Sequence, residues 1–147
     1  MDRDLLDLPV LLLNAAGALV DAIDAGVRAR GFADLRPALG FAFARLSHDG
    51  ATVGQLAEYL GMTKQAASQL VEELVTKGYV ERRPHPADAR ARLIVLTPKG
   101  WACTRAADEA AVEVLRPWAD ALGPHRLAAL RADLSRIATP GRLRPTW

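Results

Sequence analysis

Leu12, Ala16, Leu19, Ile23 and Val27 recur at three- and four-residue spacing, which predicts an amphipathic helix closed by Gly31. A second helix is expected after Pro37, burying Leu39, Phe43 and Leu46 ahead of an Asp49-Gly50 turn. The stretch "TVGQLAEYLGMTKQAASQLVEELVTKGYVERR" then sets two short amphipathic segments almost end to end. Thr52 with Gln55 is a capping-box pair, so a helix starts there and buries Val53, Leu56 and Leu60 until Gly61 ends it. Thr63 caps the next helix, which runs to Lys77 and stops at Gly78. From Tyr79 to Arg83 and from Arg92 to Leu96 the pattern turns strand-like. The connection "PHPADARA" carries two prolines, which cannot continue a ladder, and is expected as an exposed hairpin loop. Thr97-Pro98 opens a long helix that Pro117 should kink or break. After Gly123-Pro124 a last helix aligns Leu127, Leu130, Leu134 and Ile137 on one stripe. The tail "TPGRLRPTW" has no periodicity, and the chain has no internal repeat.

The second helix of the tight pair is two-faced. Ala66, Ala67, Leu70, Val71, Leu74 and Val75 fall on one arc; Gln65, Ser68, Gln69, Glu72 and Thr76 fall on the other, with Lys64 at its margin. A helix-turn-helix leaves such a polar face free for a major groove. Gln65 and Gln69 are amides suited to base edges, adenine above all; Ser68 serves a base or a phosphate, and Lys64 offers a charge to phosphate. A plain helical hairpin with a solvated face accounts for the pair equally well. The basic hairpin that follows shifts the balance, because its arginines could lie along a nucleic-acid backbone or in a narrow minor groove.

Charge sharpens this reading. The whole chain is nearly neutral at +2, yet Lys77, Arg82, Arg83, Arg90, Arg92, Lys99 and Arg105 outnumber Glu81 and Asp88 between 77 and 105. That segment is +5 and the remainder −3, a local stripe that suits a polyanion. The 147 residues fit one domain, half hydrophobic and rich in helix-forming Ala and Leu. A single cysteine, Cys103, excludes an internal disulfide framework. Asp2, Asp4 and Asp7 outweigh Arg3 ahead of "LPVLLLNAAGALV", the wrong sign for a secretory signal, and no run of about 18 apolar residues stands out to span a bilayer. The expectation is a cytoplasmic protein without a membrane partner.

"QLAEYLGMTKQAASQLVEELVTKGYVERRPHPADARARLIVLTPKG" resembles the winged helix of the MarR family of transcriptional regulators. Asp88-x-Arg90 followed by "LIVLTPKG", with Leu96, Thr97 and Gly100 in register, carries most of the resemblance. It implies a mostly α fold with a small β-hairpin wing. Residues 1–48 would supply N-terminal support and dimerisation helices, 49–97 the DNA-binding core, and 98–147 the C-terminal dimerisation helices and tail. It implies a homodimer on a pseudo-palindromic double-stranded operator, acting as a repressor that a small, often aromatic, ligand releases. Carried over by position, Lys64, Gln65, Ser68 and Gln69 belong to the recognition helix. Arg82, Arg83, Arg90 and Arg92 belong to the wing, with Arg90 at its tip in a minor groove and Asp88 bracing it. Leu12, Leu19, Ile23, Leu127, Leu130, Leu134 and Ile137 are the dimerisation candidates.

Other residues carry less. Cys103, without a nearby His or second Cys in sequence, reads as a small buried helix residue rather than a peroxide sensor. His48, His85 and His125 are too scattered for a local metal site, and no cofactor is expected. Phe43, His48 and Trp101 are ligand-pocket candidates, although Phe41, Phe43 and Trp101 at helical spacing favour core. Arg82 and Arg83 could instead pair with Glu81 or other acids. No nucleophile–base pair or phosphate-cradling glycine loop argues for an enzyme. The alternative is a winged-helix adaptor that no longer reads DNA, for which a +5 wing has no use.

Overall fold

The computed structural model describes residues 5–138; the aperiodic tail and the first acidic residues lie outside them. Six helices and one hairpin follow in order: α1 (Leu8–Ala29), α2 (Pro37–Leu46), α3 (Val53–Leu60), α4 (Lys64–Thr76), β1 (Val80–Pro84), β2 (Arg92–Leu96), α5 (Pro98–Leu122) and α6 (Pro124–Ile137). The punctuation follows the local chemistry. Thr52 and Gln55 form both halves of a capping box, and the Thr63 hydroxyl accepts from the Ala66 amide. Gly61 and Gly78 take positive φ beyond α3 and α4, as does the Asp49-Gly50 turn before α3.

The strands pair antiparallel from Val80↔Leu96 to Pro84↔Arg92. The ladder therefore reaches Pro84, which the sequence assigned to the loop. A proline is tolerated there because it occupies the end of an edge strand, where its missing N–H interrupts no further ladder. Ala51 adds an isolated bridge to Ile94, tying the α2–α3 turn to the wing.

Leu39, Leu46, Leu56, Leu60, Val71, Leu74, Tyr79 and Ile94 are fully buried, so the core sits where α2, α3 and α4 close over the base of the wing. Phe43 meets the Tyr79 ring edge-on at 5.6 Å. Outside this core α1 runs along α5, and α6 folds back on α5. Arg30 clamps the first pair, reaching Glu113 at 2.8 Å and Glu109 at 3.3 Å. Where they cross, a Cβ on Gly26 would stand 2.6 Å from the Ala110 Cβ, so only glycine permits this approach.

Two expectations need correction. α5 continues through Pro117 unbroken. Proline removes one hydrogen bond, but Pro117 lies on an exposed face, and packing with α1 and α6 holds the helix on either side. Secondly, α1 contains an 18-residue window of mean hydropathy 1.7, long and apolar enough by length and composition to cross a bilayer. Scanning for an uninterrupted apolar run missed it, because Asp21 and Asp24 fall among the apolar residues. In this fold the C-terminal part of α1 packs on α5, whereas Leu8, Val10, Leu11, Leu12 and Leu13 stand exposed.

Candidate nucleic-acid interface

The polar arc of α4 faces outward as the periodicity predicts. Lys64, Gln65, Ser68, Gln69, Glu72 and Thr76 are exposed, while Ala67, Leu70, Val71 and Leu74 are buried. α3 packs behind it, so the amides stand at the free N-terminal half of a well-anchored helix. The wing projects beside this surface. Its loop is set by Asp88, whose side chain accepts from the Arg90 amide at 2.9 Å and whose carbonyl accepts from Ala91 at 3.1 Å. Asp88 thus fixes the backbone that carries Arg90.

The four wing arginines are not equivalent. Arg82 ion-pairs with Glu72 of α4, and Arg83 pairs with Glu81 on its own strand at 2.7 Å. Arg90 and Arg92 are exposed and, among the described residues, have no carboxylate partner. Part of the basic stripe is therefore compensated within the chain, and the uncompensated charge concentrates at the outer end of the wing. The Arg82–Glu72 pair also holds the wing against α4.

A junction behind the wing fixes its direction. The Thr97 hydroxyl donates to the Gly78 carbonyl at 2.7 Å and accepts from the Gly100 amide at 3.2 Å. The Thr97 amide bonds the Tyr79 carbonyl at 3.0 Å. Lys99 lies over the Tyr79 ring, 4.2 Å from its centroid, and donates to the Lys77 carbonyl at 2.7 Å. The "LTPKG" run is thus the seam between wing and α5.

Residues 36–91 match the sequence profile of the MarR family. An uncharacterised Mycobacterium tuberculosis protein is 37% identical over 86 residues, 58% of this chain and 60% of its own length. The HTH-type transcriptional regulator PetP of Rhodobacter capsulatus is 35% identical over 95 residues, 65% of this chain and 57% of PetP. The chain thus aligns with less than two thirds of these curated relatives. A mutant E. coli MarR complexed with operator DNA superposes with a TM-score of 0.72 at 20% identity, over 95% of this chain and all of that one, a likeness of fold. Residues 36–91 thus carry the likeness to the MarR family, and the solved structure extends the likeness of fold beyond them.

A second feature lies behind α4 and the wing. A cavity of about 190 Å³ opens between α1, the N-terminal half of α2 and α5. Val20, Ile23, Val27, Leu35, Phe41 and Phe43 make its apolar wall, and Asp24 and Arg36 are its charged members. Of the three pocket candidates only Phe43 lines it. His48 lies past the end of α2, in a polar groove with His85, and Trp101 is exposed on α5. Ile23, expected at a dimer contact, instead faces this cavity and packs on the core of its own chain. Cys103 also lines the cavity, and burial pushes its thiol up to about 11, leaving it protonated at neutral pH.

The dimerisation candidates divide accordingly. Leu19, Leu127, Leu130 and Leu134 line one wide groove between α1, α5 and α6, together with Leu115 and Trp118. Leu12 and Ile137 are exposed beyond it. α6 contains no buried residue at all. Sequence reading overlooked an ionic cluster that ties the α1–α2 loop to α4. Arg36 and Lys77 both hold Glu73, at 2.8 and 2.9 Å, and the buried Tyr79 donates to Asp34 at 2.5 Å. These partners lie up to 45 residues apart, where periodicity carries no signal.

Proposed function

We propose that the protein is a cytoplasmic, dimeric, sequence-specific double-stranded-DNA-binding transcriptional regulator, a repressor released by a small effector in the cavity beneath α2. The observation that carries this reading is the pairing of an amide-rich, exposed α4 with a wing whose outer arginines, Arg90 and Arg92, lack acidic partners among the described residues. A solvated helical hairpin has no need of either. A protein-interaction adaptor leaves the uncompensated wing charge unexplained. The E. coli MarR of the same fold was crystallised with operator DNA, which supports the assignment by analogy.

In this reading the N-terminal half of α4 enters a major groove, with Gln65 and Gln69 toward base edges and Lys64 and Ser68 toward phosphates. Arg90 reaches the adjacent minor groove, on a loop that Asp88 holds in shape. Residues 49–97 are the reading unit; 1–48 and 98–147 assemble and support it. A pseudo-palindromic operator follows from the two-fold symmetry of the dimer.

Genomic fragments retained by the purified chain, with and without candidate effectors, test the assignment directly. Failure to enrich any fragment above bulk DNA would end it. On an enriched operator, Arg90→Ala should weaken binding and reduce the slope of log affinity against log salt by about 0.9 for one lost phosphate contact. An unchanged affinity and slope would remove Arg90 from the interface. Gln65→Ala and Gln69→Ala should each relax preference at one or two base positions, by about 1–3 kcal/mol per lost bidentate contact. Uniform weakening with intact base preference would limit these amides to positioning.

A further inference from the structure

Glu72 is the one acidic side chain on the outward arc of α4, whose other exposed members are Lys64, Gln65, Ser68, Gln69 and Thr76. Its neighbour Glu73 turns the other way, to Arg36 and Lys77. Glu72 instead ion-pairs with Arg82 of β1. We propose that Glu72 is a specificity-determining residue that reads no base: it withholds Arg82 from DNA phosphate and so keeps sequence-independent binding low. The proposal rests on the regulator reading and adds to it the residue that limits affinity for bulk DNA.

The position of this acid gives it its effect. Glu72 follows Gln65 by seven residues and Gln69 by three, so the three share one face. Glu72 stands about 4.5 Å along the helix axis beyond Gln69. With the N-terminal half of α4 in a major groove, this next turn climbs towards the phosphates of the groove wall. A bare carboxylate would be repelled there, and a bare guanidinium would be drawn to phosphate in any sequence. Paired, the two present almost no net charge. The Glu72 side chain is 66% exposed and that of Arg82 34%. A pair so open to water adds little to stability; its consequence is where the charge of the wing stands. Arg83 is likewise taken up by Glu81, whereas Arg90 and Arg92 have no carboxylate partner among the described residues.

Bulk DNA and an operator feel the pair differently. Bulk binding is nearly all electrostatic, and a chain free to slide can bring any unpaired cation to a phosphate. On an operator the amides of Gln65 and Gln69 fix the register, so a freed Arg82 gains less. The wing also loses a tie to α4 that sets the reach of Arg90. Removing the carboxylate therefore favours bulk DNA over the operator.

The test uses the full chain, Glu72→Gln, Arg82→Gln and the double variant, a cycle that isolates the pair. Both changes are on exposed side chains and keep their shape roughly while removing charge. The probe is sonicated bulk duplex DNA, followed by the enriched operator. Glu72→Gln should bind bulk DNA about eightfold tighter at about 0.1 M salt, with a salt slope steeper by about 0.9, one further phosphate. Arg82→Gln should cancel that gain in the Glu72→Gln chain and change the slope less than half as much in the wild type. The operator-to-bulk affinity ratio of Glu72→Gln should fall by about threefold or more. A gain that Arg82→Gln leaves in place would show Glu72 acting by its own charge alone, and would overturn the proposal. So would a Glu72→Gln chain with wild-type bulk affinity and slope, or with an unchanged ratio. A preference altered at a single operator position, with bulk binding intact, would show Glu72 reading a base such as cytosine, and would overturn it too. If the cycle on bulk DNA runs as expected but no operator is ever enriched, the withholding of Arg82 stands and the regulator reading alone fails.

Discussion

Gly100→Ala will unfold at distinctly lower urea than the wild-type chain, although it adds one methyl group to a helix. A Cβ there would stand 2.2 Å from the Tyr79 carbonyl oxygen and tightly against the Leu96 side chain, at 3.0 and 3.2 Å. The nearest obstacle is backbone, which cannot rotate aside. That carbonyl accepts the Thr97 amide, and Thr97 in turn caps α5 and bonds Gly78. Making room therefore opens the seam that aims the wing. Overpacking of a tight site costs about 1–3 kcal/mol and occasionally more, and breaking the seam places this substitution toward the upper end. Gly54→Ala provides the contrast: its Cβ would meet nothing closer than 3.6 Å inside α3, so replacing glycine in a helix should stabilise by up to about 1 kcal/mol. Equal urea midpoints for Gly100→Ala and wild type would show that the contact relaxes freely.

This glycine marks how far the sequence could be read. Its register in "LTPKG" was visible beforehand; the reason for it, the carbonyl of Tyr79 just ahead of β1, was not. Capping chemistry acts across three residues, so Thr52 with Gln55, Thr63 and Thr97 located the starts of α3, α4 and α5. Helical periodicity sorted the two faces of α4 because one face must pack on α3. Side-chain partners across the fold escaped. Nothing local announces that Arg82 is spent on Glu72, that Arg36 meets Glu73, or that Ile23 turns inward while Leu19 lines the outer groove. Pro84 and Pro117 were read by their intrinsic tendency, which tertiary packing and a strand end overrode. His48 and Trp101 were grouped with Phe43 by residue type alone, and the fold separates them.

Leu130→Asp or Leu134→Asp will lose assembly and operator binding together. Within one chain the groove between α1, α5 and α6 is about 710 Å³ and lined mainly by apolar side chains, Leu19, Leu115, Leu127, Leu130 and Leu134 among them. Next to it Leu8, Val10, Leu11, Leu12 and Leu13 present their side chains to solvent, as do Val112 on α5 and Ile137 on α6. So many exposed apolar side chains on three neighbouring helices mark an interaction site. A second copy suits this surface, because α1 and α6 are complementary in kind: each shows an apolar stripe that its own chain leaves uncovered. A two-fold arrangement would bury each stripe against its twin's and cover the groove twice. It would also hold two α4 helices about 34–36 Å apart, at successive major grooves on one face of DNA. A carboxylate at either leucine puts a charge into that contact without a partner, at a cost of several kcal/mol per buried ion. Sedimentation should show the wild type as a stable dimer at micromolar concentration and the variants as monomers with intact helical content. A wild-type monomer that binds its operator at full strength would refute the dimer and the spacing argument with it.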